Sequence, residues 1–470
     1  MLQSWNKFCF TSGYIEVSLS LPGPNEETQG YWPGVWTMGN LGRPGYGATT
    51  DGTWPYSYDA CDVGTFPNQT WSNHSGPAAA LHTDQGRAKY NFELSWLAGQ
   101  KLSACTCPGE DHPGPDVSKG RGAPEIDVLE AQKNKLGPGA KVSQSAQFAP
   151  FSHDYVYDNT TATSFNIFNA AITQANTYHG SAVQQAVSGL TDLPPSIFNG
   201  TGGQFSTFGF EYWANPKNRP EGYIEWQVGG TPSLYMSAAA VTADQGVGGS
   251  GVSDRLIPEE PMSIVLNLAI SESFQNVDLT SMTFPAELLI DYVRVYQRDG
   301  HENVGCNPKD YPTTDYINRH LDAYTNANLT GWNTGTSAGT AGAGYSFPKN
   351  SMFSFTYNPR TRGLISSPSP RTQPPPTLHP TVVAPYPVII FPYNESQSSH
   401  HLIHPPPCTR PLHPYHPHHP PLHLSPPRLR KHQHTCSATL SLPLRSNVTN
   451  HLSSRTLLQF GALGAKQASV

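Results

Sequence analysis

Three carboxylates stand within one short stretch, Gly120-Arg-Gly-Ala-Pro-Glu125-Ile-Asp127-Val-Leu-Glu130-Ala-Gln132. On a pleated strand Glu125 and Asp127 project to one face, Ile126 and Val128 to the other. Strict alternation would next offer Leu129, but a one-residue bulge after Asp127 returns Glu130 to the face of Glu125. The outer Cα atoms then lie ~13 Å apart, and side chains leaning together bring their carboxyls towards the ~5–5.5 Å separation of a retaining glycosidase. At that separation one carboxylate attacks an anomeric carbon while the other protonates the departing oxygen and later activates the acceptor. Asp127 can hydrogen-bond to the nucleophile. Three acids this close cannot all ionise, so a proton remains available near neutral pH. Spacing alone also suits a solvated acidic strand or a cation site.

A second segment, Gly30-Tyr-Trp32-Pro-Gly-Val-Trp36-Thr-Met-Gly-Asn40, supplies what a sugar site needs. Indole faces stack on sugar rings, and Asn40 can bond hydroxyls. On a strand Trp32 and Trp36 share a face, so one can pack while the other lines a cleft.

The elements that must position these residues are strands. Strand patterns are predicted over Tyr14–Leu21, Lys89–Leu97, Glu125–Glu130, Phe205–Tyr212, Gly222–Val228, Met262–Ile270 and Leu288–Gln297, with one helix over Tyr311–Tyr324. Many strands with few helices imply an antiparallel sandwich or barrel. The aromatic, glycine-rich loop 39–70 is long enough to be functional and is expected to pack over a neighbouring surface.

Composition divides the chain. Pro and Gly make up 45 + 42 of 470 residues. From Pro359 onwards, 10 Lys/Arg face the single acid Glu395, giving +9, whereas residues 1–358 carry 18 − 33 = −15. The acidic body disfavours nucleic acid as a partner. Residues 351–470, rich in Pro and His, are expected to be a low-complexity disordered tail with polyproline II character, resembling sequence without an evolved role. Met1 runs straight into a strand pattern, which suggests a start placed inside a domain. No run reaches the ~18 apolar residues of a membrane span.

Sequons at Asn68, Asn73, Asn159, Asn199 and Asn328, with two more at Asn394 and Asn447, point to a secretory lumen or cell surface. The cysteines Cys9, Cys61, Cys105, Cys107 and Cys306 fit disulfides there, with one thiol left over. Cys105-x-Cys107 lacks zinc-site spacing, and no loop has a calcium signature, so no metal or other cofactor is expected.

Trp32-Pro-x-x-Trp36, Glu125-Ile-Asp127-x-x-Glu130, Asn267-Leu-Ala-Ile and Ile290-Asp-Tyr-Val-Arg-Val-Tyr-Gln297 occur in the order seen in glycoside hydrolase family 16. Longer strings, such as GAPEIDVLEAQ and DYPTTDYINRHLDAYTN, resemble the fungal β-glucan synthesis-associated proteins of that family over roughly residues 1–350. The resemblance implies an all-β fold, an antiparallel β-jelly-roll sandwich of the concanavalin A-like lectin/glucanase type. It further implies a β-glucan polysaccharide or oligosaccharide as partner, Glu125 as nucleophile, Glu130 as general acid/base and Asp127 as their helper. Trp32, Trp36, Asn40, His179 and Tyr212 are carried over as substrate-binding. It also implies attachment to a membrane through an anchor that this chain does not contain, and a sandwich whose first strands are absent here. The alternative that the residues leave open is a catalytically silent glucan-binding scaffold.

Overall fold

The computed structural model describes residues 1–82, 93–333 and 341–352, together with the backbone of Thr456–Phe460. Two sheets pack face to face. The first runs β1 (Leu2–Gln3), β13 (Met262–Ile270), β4 (Tyr31–Gly39), β5 (Glu125–Lys133), β6 (Ala140–Phe148), β9 (Gln185–Leu193) and β8 (Thr173–Ala175), with β2 (Cys9–Phe10) also beside β13. The second runs β15 (Thr456–Phe460), β14 (Ala286–Tyr296), β3 (Gly13–Ser20), β10 (Ser206–Trp213), β11 (Tyr223–Val228), β12 (Thr231–Ser237) and β7 (Phe165–Ile167). Every strand pairing is antiparallel. Because the chain repeatedly crosses between the two sheets, the result is the expected jelly-roll sandwich.

The core lies between the sheets. Ile15, Val17, Phe208, Phe210 and Ile224 meet Ile126, Val128, Leu129, Val142 and Phe148, all essentially inaccessible to solvent. Removing these side chains from water supplies the main drive for the sheets to pack.

Six of the predicted strands are present with ends shifted by three residues at most. The seventh, Lys89–Leu97, is not borne out where it can be followed: residues 93–97 carry no strand, and residues 89–92 lie outside the described residues, as do most of the tail and Asn394 and Asn447. Strand β6 is inconspicuous in the sequence because the inward set of AKVSQSAQF is Ala140, Val142, Gln144, Ala146 and Phe148, small or polar at three of five positions. It is central, so even Lys141, Ser143, Ser145 and Gln147 are buried. The predicted helix Tyr311–Tyr324 is two short ones, Thr314–Arg319 and Leu321–Thr325, because His320 leaves helical geometry at φ −126°.

Loop 39–70 is ordered, and the segment beyond Cys306 packs against it. Trp332 stacks on Tyr316, with ring centroids 5.9 Å apart, and the buried Lys101 ammonium lies 3.3 Å from the Trp332 centroid. Fully buried Arg121 makes a two-pronged ion pair with Glu260 at 2.7 and 2.8 Å. Disulfides Cys9–Cys306 and Cys61–Cys105 fasten the same region, and Cys107 is free.

Candidate active site

Strand β5 carries the bulge that its sequence calls for. Trp36 pairs with Asp127 and Val35 with Leu129, so Val128 has no counterpart on β4. On the other side Asp127 faces Ser145 and Glu130 faces Ser143, again one residue over. The insertion lets the adjacent Val128 and Leu129 both enter the core while Glu130 returns to the face of Glu125. A bulge strands backbone carbonyls. Here side chains satisfy them: Trp226 Nε1, reaching across from the second sheet, donates to the Asp127 carbonyl at 2.9 Å, and Gln144 Nε2 donates to that of Val128 at 3.0 Å.

The carboxylates are held individually. Trp54 Nε1, from loop 39–70, donates to Glu125 at 2.5 Å. Trp32 Nε1, from β4, donates to Glu130 at 2.8 Å. Asp127 is buried and accepts from Ser145 Oγ at 2.7 Å and Gln147 Nε2 at 3.0 Å. Glu125 and Asp127 also share a side-chain hydrogen bond.

This crowding sets the protonation. Burial, then the charges of Asp127 and Glu130, drives Glu125 well above the usual carboxylate range, against the opposing Trp54 hydrogen bond. Burial and then Asp127 push Glu130 up to about 8, opposed by Trp32 and by the Lys135 charge. Burial raises Asp127 as well, while its hydrogen bonds from Gln147 and Ser145 pull the other way. The site therefore holds protons at neutral pH on groups that would normally have lost them.

Trp36 is half-buried beside Asp127 and donates to Asn267 Oδ1 at 2.7 Å. Trp32 is stacked on Phe274, centroids 4.5 Å apart and planes 6° from parallel, so one indole face is already covered. Beyond β5 the sheet's surface is polar: the Ser143 and Ser188 hydroxyls lie 3.1 Å apart, and Asn176 donates to Ser188 at 3.2 Å. Among the described residues, no cluster of three His, Cys, Asp or Glu side chains is placed to hold a metal ion.

Three expected binding residues stand elsewhere. Tyr212 lies on β10 of the second sheet, fully buried against Phe10 and Phe210; alternation on that strand turns it into the core. Asn40 is fully buried, its amide donating to Thr313 at 3.0 Å and its oxygen accepting from the Asn6 N–H at 2.8 Å, so it ties chain segments together. His179 lies in the connection between β8 and β9, removed from the acids. Its carbonyl pairs with Ala186, opposite Gln147, which is opposite Glu125, about three strand spacings or ~14 Å away. Its Nδ1 donates to the Tyr155 carbonyl at 2.7 Å.

Trp54, Ser145, Gln147 and Trp226 went unnoticed as members of the site. Trp54 had a signal, as an indole in an ordered loop. The other three have none, because only pairing register and sheet packing bring them to β5.

A jelly-roll sandwich with three hydrogen-bonded acids on a bulged strand defines the class: an all-β protein with three crowded carboxyls on one sheet. Residues 1–355 match the family described as beta-glucan synthesis-associated protein SKN1/KRE6/Sbg1, and the chain belongs to that family. The KRE6 protein of Saccharomyces cerevisiae is 46% identical over 353 residues, which span 74% of this chain and 43% of that protein. The KRE6 protein of Candida albicans is 43% identical over 359 residues, 75% of this chain and 43% of the relative. The chain thus spans less than half the length of these relatives. The laminarinase catalytic domain of Thermotoga maritima superposes with a TM-score of 0.29 at 17% identity over 63% of this chain and 68% of that one; the fold assignment rests on the sheets themselves. No described helix is long and apolar enough to cross a membrane.

Proposed function

We propose that the chain is a retaining glycosidase or transglycosidase acting on β-glucan, and that it contributes to assembly of that polymer in the cell wall. The carrying observation is that Glu125 and Glu130 each receive an indole N–H while the charge of the buried Asp127 raises both of them. In this reading Asp127 takes the proton it shares with Glu125, freeing that carboxylate to attack the anomeric carbon. Glu130 gives its proton to the departing oxygen, leaving a glycosyl–Glu125 ester. Glu130, now ionised, then takes a proton from the acceptor hydroxyl, which displaces Glu125. Family membership supports β-glucan as the polymer, and the sequons and disulfides support a lumenal or cell-surface setting.

The test is Glu125→Gln assayed on β-1,3- and β-1,6-linked glucan oligosaccharides. The expected result is a loss of ~10³-fold or more in turnover, with a glycosyl-enzyme trapped on the parent protein by a fluoroglycoside. Full activity in the variant would sink the assignment.

A further inference from the structure

The second sheet has an outer face that the cleft chemistry does not use. Along β14, β3, β10, β11 and β12 the inward residues, including Val228, Val293 and Val295, belong to the core. Apart from Leu289 near the start of β14, the outward positions of these strands carry no Leu, Ile, Val or Met. They carry Tyr14, Tyr223, Tyr235, Tyr292, Tyr296 and Trp213, interleaved with Glu16, Glu211 and Glu225.

These rings are held in place. A Cβ on Gly209 would come within 2.8–2.9 Å of the Tyr14 ring, so the glycine is what lets that ring lie across β10. Tyr296 runs alongside Tyr14, centroids 6.0 Å apart and planes within 24°; Tyr223 and Tyr235 form a like pair at 5.8 Å and 24°. Glu16 accepts from Tyr14 at 3.0 Å and Tyr292 at 2.6 Å. Glu211 accepts from Tyr223 at 2.7 Å and Arg298 at 2.8 Å, and that guanidinium also covers Trp213 at 4.7 Å. The two ring pairs sit about three strand spacings apart, ~14 Å, with Glu211 between them. Beyond Trp213 the face opens into a groove of about 370 Å³ lined by His301, Asn303, Lys309, Tyr311 and the buried Glu259.

We propose that this face is a second saccharide-binding surface, separate from the three acids, that takes a neutral β-glucan chain across the strands. Flat aromatic faces alternating with fixed planar acceptors suit a ligand with apolar ring faces and hydroxyl edges. The charges argue for neutrality in the ligand: Glu16, Glu211 and Glu225 are largely offset by Arg294 and Arg298, which leaves little field to attract a polyelectrolyte. The choice of glucan rests on the function proposed above.

The experiment is co-sedimentation of the full chain with insoluble β-glucan, comparing the parent with Tyr235→Ala/Tyr296→Ala and with Tyr296→Ala alone, a residue 43% exposed and outside the core. Folding is checked by circular dichroism, and turnover of short glucan oligosaccharides is measured alongside. The expected result is glucan affinity weakened about tenfold in the double variant, with short-oligosaccharide turnover within about twofold of the parent. Equal sedimentation of folded variants and parent would overturn the proposal, as would a parent that does not sediment. A self-association of the parent abolished by the same substitutions would overturn it too, by assigning the face to a second copy. If sedimentation depends on the tyrosines while no glucan is ever turned over, the surface stands and the enzymatic reading falls.

Discussion

Glu130→Gln offers a direct measure of the electrostatic strain on β5. Glu130 is raised from its ordinary 4.5 to about 8 by burial and by Asp127. A carboxyl whose folded value is raised favours the folded state most below its unfolded value, and that advantage is lost as pH climbs through the folded one. Stability of the parent should therefore decline between about pH 4.5 and 8 through this group. At about 1.36 kcal/mol per pH unit the full effect is roughly 5 kcal/mol; solvent at the half-buried carboxylate and proton sharing with Asp127 reduce it to about 2 kcal/mol. The glutamine side chain of the variant would keep the oxygen that accepts from Trp32 without ever ionising. The variant should melt higher than the parent by ~3 °C at about pH 8, with the gap closing near pH 4.5. Differential scanning calorimetry across that range reads both quantities. A variant that melts no higher at the alkaline end, or a gap that widens towards acid, would refute the reasoning. Glucan turnover should meanwhile fall ~10²–10⁴-fold, the usual contribution of a positioned acid/base.

Three further substitutions test separate parts of the frame. Trp54→Phe removes the N–H that stabilises ionised Glu125; the acid limb of the pH–rate profile should move to higher pH, and an unmoved limb would show that Trp54 does not tune this carboxyl. Trp226→Phe leaves the buried Asp127 carbonyl without its inter-sheet donor; denaturant titration should show a loss of about 1–3 kcal/mol, and turnover should drop as the acids lose alignment. Arg121→Leu strands the Glu260 carboxylate in a buried setting; unfolding titrations should register a loss of about 3–5 kcal/mol, with Arg121→Leu/Glu260→Leu recovering part of it.

The three acids and the bulge are legible in the amino-acid order alone. Two consecutive apolar residues between Asp127 and Glu130 cannot both be buried on an alternating strand, so β5 must slip by one. The strand-rich class is equally legible, because alternation in segments such as Gly13–Ser20 and Met262–Ile270 is a local property of each strand. Which distant groups reach the acids, and which face an aromatic presents, depends on how the sheets and loops pack. Trp54, Trp226, Ser145 and Gln147 come to β5 through loop docking, sheet packing and register, contacts that span up to about a hundred residues and leave no local pattern. The same non-local choice sent Tyr212 and Asn40 into buried structural roles and laid Phe274 over Trp32. Residue type announces what chemistry is available; the pairing of strands decides which side chains meet.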